Sequence, residues 1–380
     1  MVFVTDRRAA DLCHRWRTGT RMSRSKVFCR FIIGILPLVI GCRSDDQPET
    51  LLSRPLPTLQ LTAESPAPFS GTYAITLLSD HRACAIASYE VEVRCGDRDG
   101  TAVTVLGGRG EGPGEFKGLL SIVRGPDGEF GIVDPIQGRI TIYDAPGNFL
   151  RTVRLPFIFE SLGPFDSTLV GSFTASGEPG ERIAVISAYD GAVLETLMPP
   201  HPIDLGLMPE GRRGLSWGAM APNGDLAFVA AGPTVVQYSR SGELREVHPA
   251  VGHRPEFPSR RDIDAHVESY ANSIFGAAPA HVIDKFAVTE KSYALGGASM
   301  RFDEVGRLWV ATQKDRDLHS YIDVYDGSRF VGSVQVRDRM LGFDLLGSTL
   351  VVLVERSGVD AEGLPRRAID WYSTDMVGGK

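Results

Sequence analysis

Three groups of residues in this 380-residue chain have types or spacings that could do chemistry. The first is the run Gly107-Gly108-Arg109-Gly110-Glu111-Gly112-Pro113-Gly114-Glu115-Phe116. Alternate glycines let backbone N–H groups close on a phosphate, provided that a helix begins directly behind them and a Lys-Ser or Lys-Thr pair follows. Neither is present, and Leu119-Leu120-Ser121-Ile122 has the pattern of a strand. The run therefore reads as a connector in which glycine supplies positive φ and Phe116 plugs between two packed units. Arg109, Glu111 and Glu115 remain as candidates to line the mouth of a channel.

The second group is Asp134 and Asp303. Acids of this kind can hold a divalent cation such as calcium, the metal that an enzymatic reading would need. The plainer reading is that each closes a turn at a strand end. The third group is the eight histidines, which include no His-x-x-x-His pair. His201, His248 and His253 sit beside Pro or Gly in expected loops, and no Gly-x-Ser-x-Gly elbow occurs. No metal set can be assembled from these residues. A cofactor is therefore not expected, and calcium belongs to the enzymatic alternative alone.

Chemistry at any of these positions depends on the strands that carry them. Between Gly107 and Leu155 the chain passes a Pro126-Asp127-Gly128 turn and the apolar run Phe130-Gly131-Ile132-Val133-Asp134. An alternating strand Arg139-Ile140-Thr141-Ile142-Tyr143 follows, then the turn Asp144-Ala145-Pro146-Gly147 and a last strand from Phe149 to Leu155. This is a β-meander of about 45 residues, the size of one propeller blade. Similar short apolar strands recur at Cys84–Ala87, Thr168–Gly171, Asp225–Val229, Arg307–Ala311 and Ser348–Val354. Six such anchors predict an all-β, six-bladed propeller, because no blade buries enough apolar surface alone and a closed ring protects the sheet edges.

One gap is too long for a blade. Between Leu226 and Leu308 the spacing predicts a helical insertion over about 255–290, with Ser259 as N-cap, Asp262 three residues on and Pro258 blocking an earlier start. Ile263, Val267, Ala271 and Ile274 share one face, opposite Asp264, Glu268 and Asn272. Such a helix packs over a hydrophobic rim or serves as a lid over the central pocket.

The N-terminal region reads as an address. Arg24, Lys26 and Arg30 precede the apolar run Phe31–Ile40, too short to span a bilayer and suited to a signal-peptide core. It ends at Val39-Ile40-Gly41-Cys42, which resembles a bacterial lipobox and implies lipidation at Cys42. Residues 1–21 fit neither signal nor fold, so translation is expected to begin at Met22. The expected order is a signal over 22–41, a flexible tether over 42–68 and the propeller over 69–375. Cys13 and Cys29 fall in the discarded part. Cys84 and Cys95 flank a segment that can fold as two short strands, which favours a disulfide in an oxidising compartment; two buried thiols are the alternative.

Eight of the 40 Lys and Arg and two of the 47 acids precede Cys42, so the remainder carries 32 basic against 45 acidic residues. An acidic body offers no footprint for a phosphate backbone, which argues against nucleic acid as partner.

The pattern Gly-x-Gly-x-Gly-Pro-Gly-Glu-Phe from Gly108 to Phe116, the strand ending in Asp134 and the later Gly147-x-Phe149 resemble the six-bladed β-propeller lipoproteins and the wider NHL-like propellers. Asp303-Glu304-Val305-Gly306-Arg307-Leu308-Trp309-Val310 is similar to the same family's Asp-x-x-Gly-x-Leu-Trp-Val blade. The resemblance implies the fold and an exported, membrane-anchored state, outer membrane favoured since Arg43 and Ser44 follow the cysteine. It implies no reaction. Two functional classes stay open: a binding or scaffold module for a peptide, glycan or partner protein, and a divalent-metal lactonase or lyase at the central channel. Three or more acids or histidines converging at the channel mouth would favour the enzyme.

Overall fold

A computed structural model of the chain describes residues 59, 61–66, 74–79, 81–87, 90–164, 166–174, 181–197, 215–230, 234–271, 277–295, 299–314, 316–317, 319–359, 363 and 365–374. The expected signal segment, Cys42, His201, Asn272 and Ile274 lie outside the described residues.

The strands form six four-stranded antiparallel sheets, the blades of a six-bladed β-propeller. Each blade is given from its inner strand outward. Blade 1 consists of Ile75–Leu77, Ala83–Ala87, Glu92–Gly96 and Val103–Gly107. Blade 2 consists of Ser121–Arg124, Phe130–Asp134, Arg139–Tyr143 and Phe149–Arg154. Blade 3 consists of Phe159–Leu162, Thr168–Thr174, Glu181–Ser187 and Val193–Leu197. Blade 4 consists of Leu215–Met220, Leu226–Ala230, Thr234–Tyr238 and Leu244–Pro249. Blade 5 consists of Met300–Phe302, Leu308–Ala311, His319–Asp326 and Arg329–Arg337.

Blade 6 closes the ring with strands from both ends of the chain. Arg339–Leu346, Thr349–Val359 and Pro365–Ser373 take Leu61–Pro66 as their outer strand, with Glu64 opposite Asp370. This corrects the expected tether over 42–68 and the propeller start at 69. The strand was missed because Thr62-Ala63-Glu64-Ser65-Pro66 is polar and one-sided, as an outer edge strand is allowed to be.

Every one of the six apolar anchors lies on the second strand of its blade. That strand is covered on both faces by neighbouring blades, so it reads as a continuous apolar run, as in Phe130–Asp134, where all five residues are buried. The described core divides into six clusters, one at each blade junction. Leu77 and Ala85 of blade 1 pack with Leu353 and Trp371 of blade 6, which completes the circle.

The alternation of strands sorts the loops. Connections between first and second strands, and between third and fourth, emerge at one face, here the lower. Connections between second and third strands, and between blades, emerge at the upper face. The insertion between blades 4 and 5 is therefore an upper-face element. It holds helix α1 (Arg260–Ala271) and helix α2 (Ala280–Ala287). At the start of α1 the Asp262 N–H donates to Ser259 Oγ at 3.2 Å and the Ser259 N–H donates to Asp262 Oδ2 at 3.1 Å, a reciprocal cap. Ile263 and Val267 on its apolar stripe are only half-buried, and Asp262 is the most buried described side chain of the helix. Ion pairing, more than an apolar face, fastens it.

Candidate functional site

The glycine run joins blade 1 to blade 2 at the upper face. Phe116 is fully buried among Ile86, Val93, Phe130 and Tyr143, in the core between the two blades. Gly107 has φ +95, and a Cβ there would stand 2.5 Å from the Phe116 ring, so both backbone angle and space require glycine. The Gly110 N–H donates to the Phe116 carbonyl at 3.0 Å, and Arg139 Nη2 donates to the carbonyls of Gly112 at 2.9 Å and Glu115 at 2.6 Å. The loop spends its polar groups on itself. Glu115 Oε2 accepts the Gly112 N–H at 2.8 Å, Glu111 pairs with Lys117, and Arg109 is exposed.

Asp134 ends the second strand of blade 2 and is fully buried. It accepts the N–H groups of Lys117 at 2.7 Å, Ile136 at 3.0 Å and Gln137 at 3.0 Å, together with Gln137 Nε2 at 2.7 Å. These bonds close the turn and dock the glycine loop. Asp303 lies in the lower-face turn between the first two strands of blade 5. Its Oδ2 accepts Arg307 Nε at 2.6 Å and Trp309 Nε1 at 3.0 Å, and its Oδ1 accepts the Arg307 N–H at 2.8 Å. The expected set Arg109, Glu111, Glu115, Asp134 and Asp303 therefore does not converge. Asp303 lies at the opposite end of the ring from the other four, and both aspartates close turns.

Sequence reasoning missed the charges on the axis itself. Arg124, Arg301 and Asp344 come from the inner strands of blades 2, 5 and 6. Arg301 Nε lies 2.8 Å and Arg124 Nη2 3.5 Å from Asp344 Oδ1, while Asp344 Oδ2 accepts the Leu77 N–H of blade 1 at 2.8 Å. Arg124 Nη1 donates to the carbonyls of Leu345 at 3.0 Å and Leu77 at 3.3 Å. Inner strands present unpaired backbone groups to the channel, and this cluster satisfies several of them across four blades near the lower end. No spacing rule connects residues so far apart in sequence; only ring closure brings them together.

A second cluster pins α1 to the upper face. Asp262 meets Arg339 at 2.7 Å, Lys291 at 2.9 Å and Arg316 at 3.7 Å. Burial alone would raise the pKa of Asp262, but Lys291 and Arg339 outweigh it and hold the carboxyl well below the usual range.

The third arrangement is a groove of about 360 Å³ between blades 4 and 5, opening at the lower face and lined by Pro222, Asp225, Glu246, His248, Phe302 and Val305, among others. This is within the size range of small-ligand sites. His248 is 1% exposed, and neither ring nitrogen makes a hydrogen bond of normal geometry; the nearby Gly327 backbone gives only a weak polar contact. Its ring meets Tyr325 edge-on at 5.2 Å. Burial pushes the imidazole down to about 4, so it is neutral at physiological pH. His248 Nε2 is 3.8 Å from Glu246 Oε2. The carboxyl of Glu246 is shifted upward by burial and by Asp225 and Asp326. Among the described residues no group of three or more His, Cys, Asp or Glu is arranged to hold a metal ion.

In blade 1 a disulfide joins Cys84 and Cys95, which face each other across the second and third strands with Cα atoms 4.0 Å apart.

No family model matches the sequence, and no curated protein does. Solved structures with a similar backbone include a protein of Bacteroides fragilis inferred to be exported, at 14% identity over 84% of this chain and 95% of that one, TM-score 0.48. The PQQ-bound aldose sugar dehydrogenase of Streptomyces coelicolor is similar at 14% identity over 84% and 99%, TM-score 0.44. A catalytically inactive virginiamycin B lyase of Staphylococcus aureus with quinupristin is similar at 13% over 85% and 89%, TM-score 0.40. These likenesses reach no further than the fold, which the strand pairing establishes in its own right.

Proposed function

We propose that the protein is an exported, lipid-anchored propeller of the cell envelope that binds a peptide, glycan or partner protein without transforming it. The observation that carries this reading is the state of the axis. Asp344 is 1% exposed and fully engaged by Arg301, Arg124 and the Leu77 N–H, so this inner-strand acid is committed to holding the inner strands. A lactonase or lyase of the calcium type needs several acids with free lone pairs converging on one ion. Asp134 and Asp303, the two acids most suited by sequence, are spent on turns. Open concave space lies between blades 4 and 5.

The cellular address rests on two supports. The lipobox-like Val39-Ile40-Gly41-Cys42 supplies an anchor, and the Cys84–Cys95 disulfide suits an oxidising compartment. The test is a panel of peptides, glycans and lactones offered to the purified protein with metal analysis alongside. Saturable binding of a peptide or glycan with no lactone turnover is expected. Lactone opening that is abolished by a chelator and restored by calcium would overturn the reading.

A further inference from the structure

Comparison of the blades with one another isolates His248 and Glu246. In blades 2, 4 and 5 the outer strand carries a bulge opposite the third-strand residues Tyr143, Tyr238 and Tyr325. Three residues before these tyrosines, Ile140, Val235 and Ile322 face Val153, His248 and Val334 on the outer strand. All three outer residues are 1% exposed. Where two blades bury a valine, blade 4 buries a histidine to the same extent and gives its ring nitrogens no hydrogen bond of normal geometry, with only the Gly327 backbone as a weak polar contact. A buried polar group in that condition destabilises the fold, and a valine there would not.

The neighbouring position repeats the contrast in charge. Ile142, Val185 and Gln237 face Arg151, Glu195 and Glu246. Arg151 has its counter-ion in Glu129 at 2.9 Å, and Glu195 has its own in Arg240 at 3.5 Å. Glu246 has no Lys or Arg partner among the described residues, and its Oε2 is buried without a hydrogen bond. The charges that act on it are Asp225 and Asp326, both anionic; Asp326 is itself paired with Arg329 at 2.8 Å. Asp225 accepts hydrogen bonds from Asn223 Nδ2 at 3.1 Å and Gln237 Nε2 at 3.4 Å, and it too lines the groove. Apolar surface from Pro222, Phe302 and Val305 completes the walls.

We propose that the groove between blades 4 and 5 takes an organic cation on an apolar stem, the ammonium or guanidinium of a Lys or Arg side chain, with Glu246 as its counter-ion and the His248 imidazole as a second acceptor. The inference rests on the binding-module reading and gives it a ligand class. The cation supplies to Glu246 the partner that Arg240 supplies to Glu195, donates to a ring nitrogen of neutral His248, and lays its methylenes along Phe302 and Pro222. A charge-assisted hydrogen bond in a partly dry groove is stronger than its exposed counterpart, which gives the pair leverage over affinity.

The same chemistry is offered by a basic peptide and by a free diamine, and the experiment separates them. Calorimetric titrations of the full chain in detergent would use N-acetylated, C-amidated Gly-Lys-Gly, Gly-Arg-Gly and Gly-Gln-Gly, then 1,5-diaminopentane, then calcium chloride. The Lys or Arg peptide should bind at least about tenfold tighter than the Gln peptide, and E246Q should remove that preference. E129Q, which alters an ion pair away from the groove, should leave it unchanged. H248F should weaken the basic peptide while keeping or raising the melting temperature, which separates loss of the acceptor from loss of fold. Equal binding of diaminopentane, also lost in E246Q, would support the proposal and name a small polyamine as the source. Equal affinity for Lys and Gln peptides, E246Q binding that matches wild type, or an E246-dependent calcium site with no preference for basic peptides would each overturn it. If basic peptides fail while another panel member binds E246Q undiminished, the cation site falls and the binding-module reading stands.

Discussion

Asp262 Oδ1 lies 2.7 Å from Arg339 Nη2, and the two residues are 5% and 1% exposed. The pair joins the first turn of an inserted helix to the first residue of the inner strand of blade 6, across 77 positions of sequence. Replacing Asp262 by Ala would leave Arg339, Lys291 and Arg316 facing one another without their shared anion. Breaking a buried pair in this way should cost about 3–5 kcal/mol, read as a lower urea midpoint at unchanged m-value. Because the carboxyl is held below its ordinary value, its contribution is present above the unfolded pKa of 3.8 and is lost as pH falls below it. An acid titration in which the variant and wild type converge towards low pH would show this.

The outer strand of blade 6 supplies a second prediction. Arg356 bridges Glu64 at 3.2 Å and Asp370 at 2.5 Å, so ring closure is both hydrogen-bonded and ionic. A chain begun at residue 69 should leave the edge around Asp370 unpaired and associate through it. Light scattering should find oligomers or aggregates for that chain and monomer for one begun at residue 43. Equal stability and monomeric behaviour of the two would contradict the closure.

The legible part of the molecule was the part with a local cause. Phe130–Val133 and its five counterparts announce buried strands because both faces are covered, and Ser259 with Asp262 announces a helix start because the cap is only three residues long. What the sequence could not reveal depends on ring closure. Arg124, Arg301 and Asp344 meet across blades 2, 5 and 6, and Leu61–Pro66 becomes a strand only because the other end of the chain arrives beside it. Asp134 and Asp303 share a residue type and a strand-end position, but alternation of strand direction puts them at opposite ends of the ring. His248, beside Pro249, has the sequence surroundings of a loop residue, since a single outer-strand histidine is distinguishable from Val153 and Val334 only once the register is known.

Third, stability should depend on pH through His248. Its imidazole titrates near 4 when folded and near 6.5 when unfolded, so between these values the unfolded chain binds the extra proton. Stability should therefore fall as pH drops from 6.5 to 4, by about 3 kcal/mol in all at about 1.4 kcal/mol per unit. Glu246, raised by burial and like charge and still about a third exposed, gives a slope of opposite sign above its ordinary value. Denaturation series in H248V should lose the fall between pH 6.5 and 4 and retain the rest. An unchanged profile would show that the histidine is protonated or solvated in the fold.

Fourth, the anchor is testable apart from the fold. Cys42→Ser should release the protein from the membrane fraction, or stop its processing, and should abolish acyl labelling while leaving the melting temperature of the propeller unchanged. Two or more long acyl chains, each gaining about 0.8 kcal/mol per buried methylene, hold a protein durably, so partial release is not expected for wild type. Unlabelled, soluble wild type would reduce Val39–Cys42 to the end of an ordinary signal.

The most direct test of the central claim, that this propeller binds and does not transform, is the chemical state of its ligand after release. The tightest member of the peptide, glycan and lactone panel would be incubated at length with the protein, released by denaturation and identified by mass spectrometry, with and without added calcium. Recovery of the unaltered compound, bound in proportion to protein, is expected under both conditions. Conversion of more ligand than there is protein would contradict it and place an active site on this fold.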